Sequence, residues 1–197
     1  IKSPVWLSGN AGSSNPPNIL KKSAIMFVDG NNWYHNLKTI IKPSEIDFRK
    51  LADFICSKFS LNLKEIRYYN SIPDISNNEG TYHKHINFLS DLEKQGIIVK
   101  TRKLTKLKKE KGIDVLIASD IIRNTIINKK CDVCILISGD ADFIPVMEII
   151  KDLKKEVITA MVLNGYAREL MQGRFRFLIL KDKDILGNCL KNNKELK

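Results

Sequence analysis

Four cysteines in 197 residues are too few for a disulfide framework. Cys56, Cys131, Cys134 and Cys189 share no repeated spacing. Cys131 and Cys134 have the spacing of a metal-binding pair, but no second pair accompanies them. They sit in an apolar run that reads as a strand, where positions three apart face opposite sides. A shared zinc is therefore not expected, and a reducing compartment, the cytoplasm, is. Histidine is scarce, at three residues. No apolar run approaches the roughly 18 residues of a membrane helix, and no segment reads as a secretory leader. The chain opens at Ile1 rather than methionine, which reads as a processed form or a fragment. Acids are in deficit. Lysine and arginine number 33 against 22 aspartates and glutamates, a net charge of +11 that favours a polyanionic partner. Lysine-rich composition by itself accounts for part of that surplus.

What is present suits one globular domain. Apolar residues make up 43% of the chain, enough for a core and too many for general disorder. Residues 1–18, with three prolines and little periodicity, read as a flexible arm or appended segment. Residues 19–184 read as the folded unit, and 185–197 as a polar tail, with fraying expected after Lys181. Short apolar runs at 24–28, 65–69, 97–99, 133–137, 157–163 and 175–180 predict strands. Helical spacing predicts helices over 31–41, 48–59, 81–95, 113–128 and 143–154, with a short one before the last strand. This alternation implies βαβ units: an α/β fold with a central, mainly parallel sheet and helices on both faces.

Ligands of such sheets collect at the carboxyl ends of the strands. The first strand ends in Val28-Asp29-Gly30-Asn31-Asn32. The fourth ends in Ser138-Gly139-Asp140-Ala141-Asp142-Phe143. Both deliver carboxylates, and both carry a glycine suited to a tight turn or close approach. Facing carboxylates repel unless a cation lies between them. The oxygen donors Asp, Asn and Ser select Mg²⁺ or Mn²⁺ over zinc or copper. Asp142 also suits an N-cap for the helix at Phe143, and Asn31 or Asn32 a cap for the first helix. His35, within that helix, is read as a surface residue.

Lys111-Gly112-Ile113-Asp114 opens a further helix, and an acid in its first turn is favoured by the helix dipole alone. Asp120 lies about 240° round that helix, among apolar neighbours, so it does not share a face with Asp114. It is expected to be a buried acid paired with a lysine or arginine. The run Lys100, Arg102, Lys103, Lys106, Lys108, Lys109 and Lys111 is either a solvated loop or a track for a phosphate backbone. Trp33 and Tyr34 are candidates for stacking on a base.

Three segments together carry a resemblance. Phe27-Val-Asp-Gly-Asn-Asn32, Lys111-Gly-Ile-Asp114 with Asp120, and Ile137-Ser-Gly-Asp-Ala-Asp-Phe143 resemble, in order, the signatures of NYN domains. These are PIN-like ribonucleases that include the LabA/DUF88 group. The likeness spans about residues 24–180. It implies a Rossmann-like PIN fold and Mg²⁺- or Mn²⁺-dependent hydrolysis of RNA, single-stranded or structured. By motif it implies that Asp29, Asp114, Asp140 and Asp142 form the catalytic, metal-binding cluster, with Asn31, Asn32, Ser138 and Asp120 in support. Near the close of the domain the sequence departs from the family, with Gln172-Gly173-Arg174 where an Ala-Asp pair is usual. Related folds often dimerise, and a homodimer stays open. The alternatives are a catalytically silent RNA-binding module and a metal-dependent phosphatase or topoisomerase-primase-like domain. The first strand's Asp29-Gly30-Asn31 lacks the Asp-x-Asp of haloacid-dehalogenase-type phosphatases.

Overall fold

A computed structural model describes residues 20–76, 78–103, 112–163, 165–172 and 175–191. The arm at 1–18 and the lysines at 106, 108, 109 and 111 lie outside the described residues. Six strands form one sheet: β1 (Lys22–Asp29), β2 (Leu61–Ile72), β3 (Ile98–Lys103), β4 (Val133–Ile137), β5 (Glu156–Val162) and β6 (Arg176–Leu180). Their order is β3-β2-β1-β4-β5-β6, and every pairing is parallel. Central strands of a parallel sheet are buried on both faces, which is why β1 and β4 read as unbroken apolar runs.

Among the described residues five α-helices lie between the strands, α1 (Gly30–Leu37), α2 (Phe48–Phe59), α3 (Glu79–Lys94), α4 (Ile113–Ile122) and α5 (Ile144–Asp152), and α6 (Asp182–Asn188) follows the last. Alternation along β1 divides the core in two. Ala24, Met26 and Val28 pack with α1, α2, α3 and α6, while Ile25 and Phe27 pack with α4 and α5. Helices thus cover both faces, as the alternation of elements predicts. Asp47 caps α2, its carboxylate accepting the N–H groups of Arg49 and Lys50. Among the described residues no helix is long and apolar enough to cross a membrane.

Several local readings change. α1 ends at Leu37, short of the expected 41, and Trp33 on its inner face is 2% exposed against Phe48. Trp33 is a core residue and is not placed to stack on a base. After α4 the chain widens into one π-helical stretch, Arg123–Ile127. The polar C-terminus does not fray at 182: Ile185, Cys189 and Leu190 are buried, and Leu190 bridges to Ile46. Cys131 precedes β4, so strand alternation does not govern it. It lies with Cys134 in the same core layer, and burial pushes both thiols up.

Candidate active site

The chain builds β1, β2 and β3 outward on one side, then crosses back to place β4 on the other side of β1. The crevice between the carboxyl ends of β1 and β4 is the switch point at which open α/β sheets bind ligands. Asp29 is the last residue of β1, and Ser138-Gly139-Asp140 follow β4 directly.

Asp29 is 4% exposed and caps α1. One carboxylate oxygen accepts the Asn32 N–H at 3.1 Å, and the other accepts the Ser138 hydroxyl at 3.0 Å. The cap is thus the aspartate, not Asn31 or Asn32. Burial pushes its carboxyl up to about 6 from an ordinary 3.8; the two hydrogen bonds pull it down, and the charges of Asp114 and Asp140 push it up further. Two of the other sequence-predicted acids therefore act on Asp29, from elements far apart in the chain.

Asp140 is half-buried, and its N–H donates to Ser138 Oγ at 3.2 Å. Its carboxylate accepts the Asp142 N–H at 2.9 Å, starting the tight helical turn Ala141–Phe143. Asp140, not Asp142, is the capping residue here. Asp142 and Asp114 are exposed. Among the described residues, no three His, Cys, Asp or Glu side chains are gathered closely enough to hold a metal ion together. The donors available are nonetheless all hard oxygens, and the buried, charge-strained Asp29 is the kind of carboxylate a divalent cation relieves.

A frame of amides holds the two strand ends together. Asn32 Oδ1 accepts the Gly139 N–H at 3.0 Å and the Asn36 side-chain amide at 3.0 Å. Asn36 Nδ2 also reaches Gly165 O at 3.0 Å, and Ala167 N donates to Gly139 O at 2.8 Å. The close approach leaves no room for a Cβ at Gly139, which would collide with the Gly165 carbonyl. Gly30 is equally confined, since a Cβ there would lie 2.5 Å from the Tyr68 ring. Asn31 turns the other way, its amide 3.4 Å from Ser71 Oγ at the end of β2.

Asp120 is 3% exposed and paired, as its apolar surroundings suggest. Its Oδ2 meets Lys100 Nζ at 2.5 Å, Tyr69 OH at 2.8 Å and Arg67 Nη1 at 3.4 Å. Burial alone would raise this carboxyl, but the Lys100 and Tyr69 hydrogen bonds and the Lys100 and Arg67 charges hold it below its ordinary value. Lys100 is therefore committed to Asp120 and is not part of a phosphate track. Lys103 ends β3 exposed, and Tyr34 is 51% exposed on α1, so both remain accessible.

Sequence reasoning missed Asn36, Arg67, Tyr69, Ser71 and Gly165. Asn32 and Asn36 are four apart on one helix face, and Arg67 and Tyr69 two apart on one strand face, so periodicity could have paired them. Nothing local marks Gly165, whose partner Asn36 lies 129 positions away.

The NYN domain family model matches residues 23–180. No curated protein matches the sequence. Among solved structures, the chain is similar to a protein of unknown function from Vibrio parahaemolyticus RIMD 2210633. The TM-score is 0.59 at 20% identity, over 86% of this chain and 97% of that one, a likeness of fold. With the family model spanning β1 to β6 and all three motifs inside it, the chain belongs to the NYN domain family.

Proposed function

We propose that the protein is a divalent-metal-dependent ribonuclease that hydrolyses RNA phosphodiester bonds at the crevice between β1 and β4. The observation that carries the reading is Asp29, a carboxylate at the switch point whose burial first, and the charges of Asp114 and Asp140 after it, disfavour its ionisation. Membership of the NYN family suggests a nuclease-like function, and the charge of +11 suits a polyanionic substrate.

Asp29, Asp114 and Asp140, with Asp142 beside them, would hold Mg²⁺ or Mn²⁺. Such a cation, when bound, neutralises the scissile phosphate and acidifies water. The chain's own groups do the rest. Ser138 and the Asn32 N–H fix the Asp29 carboxylate, and the Asn32–Gly139–Gly165 contacts fix the loop that carries Asp140. Asp140 or Asp142 orients the attacking water and takes its proton. The water oxygen bonds to phosphorus as the bond from phosphorus to the leaving ribose oxygen breaks. Lys103, exposed at the end of β3, would contact the phosphates of the RNA strand, with the lysines at 106, 108, 109 and 111 following it in sequence, and Tyr34 would offer a ring to a base.

The test is cleavage of single-stranded and structured RNA with Mg²⁺, Mn²⁺ or EDTA, by the parent protein and Asp29→Asn. Metal-dependent cleavage abolished by the substitution is expected. Cleavage that survives both EDTA and the substitution would refute the reading. A second reading, RNA binding without cleavage, draws on the absence of a gathered three-donor group among the described residues. Salt-dependent RNA binding with no cleavage in any divalent metal selects it.

A further inference from the structure

Strand register extends the row of side chains that starts at Asp29 toward one edge of the sheet. It places Asp29 beside Tyr69 of β2, and Tyr69 beside Lys100 of β3. These residues face α4: the charge of Asp114 acts on Asp29, and Tyr69 and Lys100 bind Asp120. Alternation puts the next row on that face two residues further on, at Ser71 and Arg102, which are themselves partners in register. The Asn31 amide, 3.4 Å from Ser71 Oγ, joins this second row to the crevice. At about 4.8 Å per strand, Arg102 stands about 10 Å across the sheet from β1.

Arg102 differs from the other two cations that β2 and β3 place on this face. Arg67 is held by Glu65 and Asp120, and Lys100 by Asp120. Arg102 is exposed, and among the described residues no hydrogen bond or ion pair engages its side chain. The acids nearest in the chain are turned elsewhere. Asp74, after β2, accepts the N–H and the hydroxyl of Ser76, and Glu79, opening α3, lies 3.5 Å from His83. Asp114 belongs to the crevice. Between Arg102 and Asp29 the second row holds only the neutral Ser71 and Asn31, and Lys103 adds a second exposed cation beside Arg102. The β5 side of the crevice has the opposite balance. The segments that follow β4 and β5 there, 138–142 and 165–169, carry Asp140, Asp142 and Glu169 against Arg168.

A chain of phosphates leaving the crevice is therefore repelled toward β5 and drawn toward β3. A guanidinium there offers two parallel N–H groups to the oxygens of one phosphate, a stronger and more directional contact than an ammonium makes. We infer that the RNA strand leaves the crevice across β2 toward β3, and that Arg102 binds the phosphate next along the strand from the one to be cut. The inference rests on the reading of the β1–β4 crevice as the place of cleavage. It adds a direction to that reading, and a residue that acts on the neighbouring nucleotide rather than on the scissile bond.

The experiment compares the full chain with Arg102→Gln and with Arg123→Gln, which removes the same charge from an exposed position just past α4. Thermal melting checks that both variants fold. Binding of a labelled oligouridylate of about eight nucleotides is followed by anisotropy in EDTA across salt concentration. Arg102→Gln should weaken it about tenfold and lower the salt slope by about 0.7, the share of one phosphate on a single strand. Arg123→Gln should change neither. With Mn²⁺, Arg102→Gln should raise KM for the same RNA and keep kcat. Uridylyl-uridine has one phosphodiester and leaves nothing for Arg102 to hold, so its hydrolysis should not respond to the substitution. Equal affinity of the parent and Arg102→Gln for the longer RNA, or equal losses in the two variants, overturns the inference. Cleavage indifferent to Arg102 leaves the nuclease reading standing, whereas RNA bound through Arg102 and never cut refutes that reading alone.

Discussion

Replacing Asp29 by asparagine should stabilise the metal-free protein, and only above a definite pH. The carboxyl rises from an ordinary 3.8 to about 6 on folding. At about 1.4 kcal/mol per pH unit, its ionisation is about 3 kcal/mol harder in the folded protein than in the unfolded chain. Between these two values the folded state binds more protons than the unfolded one. Stability is therefore lost as pH rises from about 3.8 to about 6, and the full penalty applies above that. Asparagine carries no charge to bury. Its oxygen can still accept the Asn32 N–H, and its amide can donate to Ser138 Oγ if that hydroxyl turns. The rise to about 6 is already net of the hydrogen bonds from Asn32 and Ser138 to the charged form, so what offsets the gain is the turning of the Ser138 hydroxyl, about 1 kcal/mol. The net gain is about 2 kcal/mol at about pH 8, or roughly 4–8 °C in Tm for a chain of this size. The assay is thermal melting of both proteins in EDTA across pH. The difference should vanish or reverse near pH 4. Equal Tm values near pH 8, or a difference that does not change with pH, would refute the reasoning. Adding Mg²⁺ in excess should raise the Tm of the parent protein and leave Asp29→Asn unmoved.

Three further outcomes follow from the same contacts. Gly30→Ala places a Cβ 2.5 Å from the Tyr68 ring and 2.6 Å from the Tyr69 carbonyl; urea unfolding should show a loss of about 1–3 kcal/mol, and a loss below about 0.5 kcal/mol would mean that β1 and β2 shift freely there. Asp120→Ala strands Arg67, Lys100 and Tyr69 around a buried gap, and should reduce stability by about 3–5 kcal/mol at neutral pH; because this carboxyl is held below its ordinary value, the parent protein should lose that contribution as acid protonates it. Trp33→Phe keeps the packing on Phe48 and removes a buried ring N–H that has no partner, so RNA affinity should stay within about twofold, whereas Tyr34→Ala should weaken it by about 1–3 kcal/mol if a base stacks there.

The fold was legible because it rests on short-range signals, and so was the place of the candidate site within it. Strand period two splits Ala24, Met26 and Val28 from Ile25 and Phe27, and Asp29 and Asp140 stand where the apolar strands β1 and β4 stop. What stayed hidden was set by partners distant in sequence. Trp33 looks free beside a polar strand end, yet its helix face turns it onto Phe48. Lys100 reads as one of seven basic residues until β3 is laid beside β2 and its ammonium meets Asp120. The C-terminal segment is polar on average, which masks Ile185 on a short helix and Cys189 and Leu190 directly after it. Asn31 and Asn32 read as the caps of α1, yet Asp29, one residue before the helix, takes that position and accepts the Asn32 N–H.

That outcome bears on why an aspartate stands at this position. Capping alone does not require it, because serine, threonine or asparagine caps a helix about as well. Those residues would also spare the fold the charge that burial, Asp114 and Asp140 make unfavourable. A helix dipole favours an anion at its N-terminus, but by about 1 kcal/mol, less than the penalty of about 3 kcal/mol. An ionised Asp29 is therefore a net liability in the protein alone. In the proposed reading a cation at the crevice would reverse that balance by offsetting the charge on Asp29. Stability given up at a site in this way is the usual mark of function. The same reasoning separates Asp29 from Asp120, which has its own cations in Lys100 and Arg67 and needs none from solution.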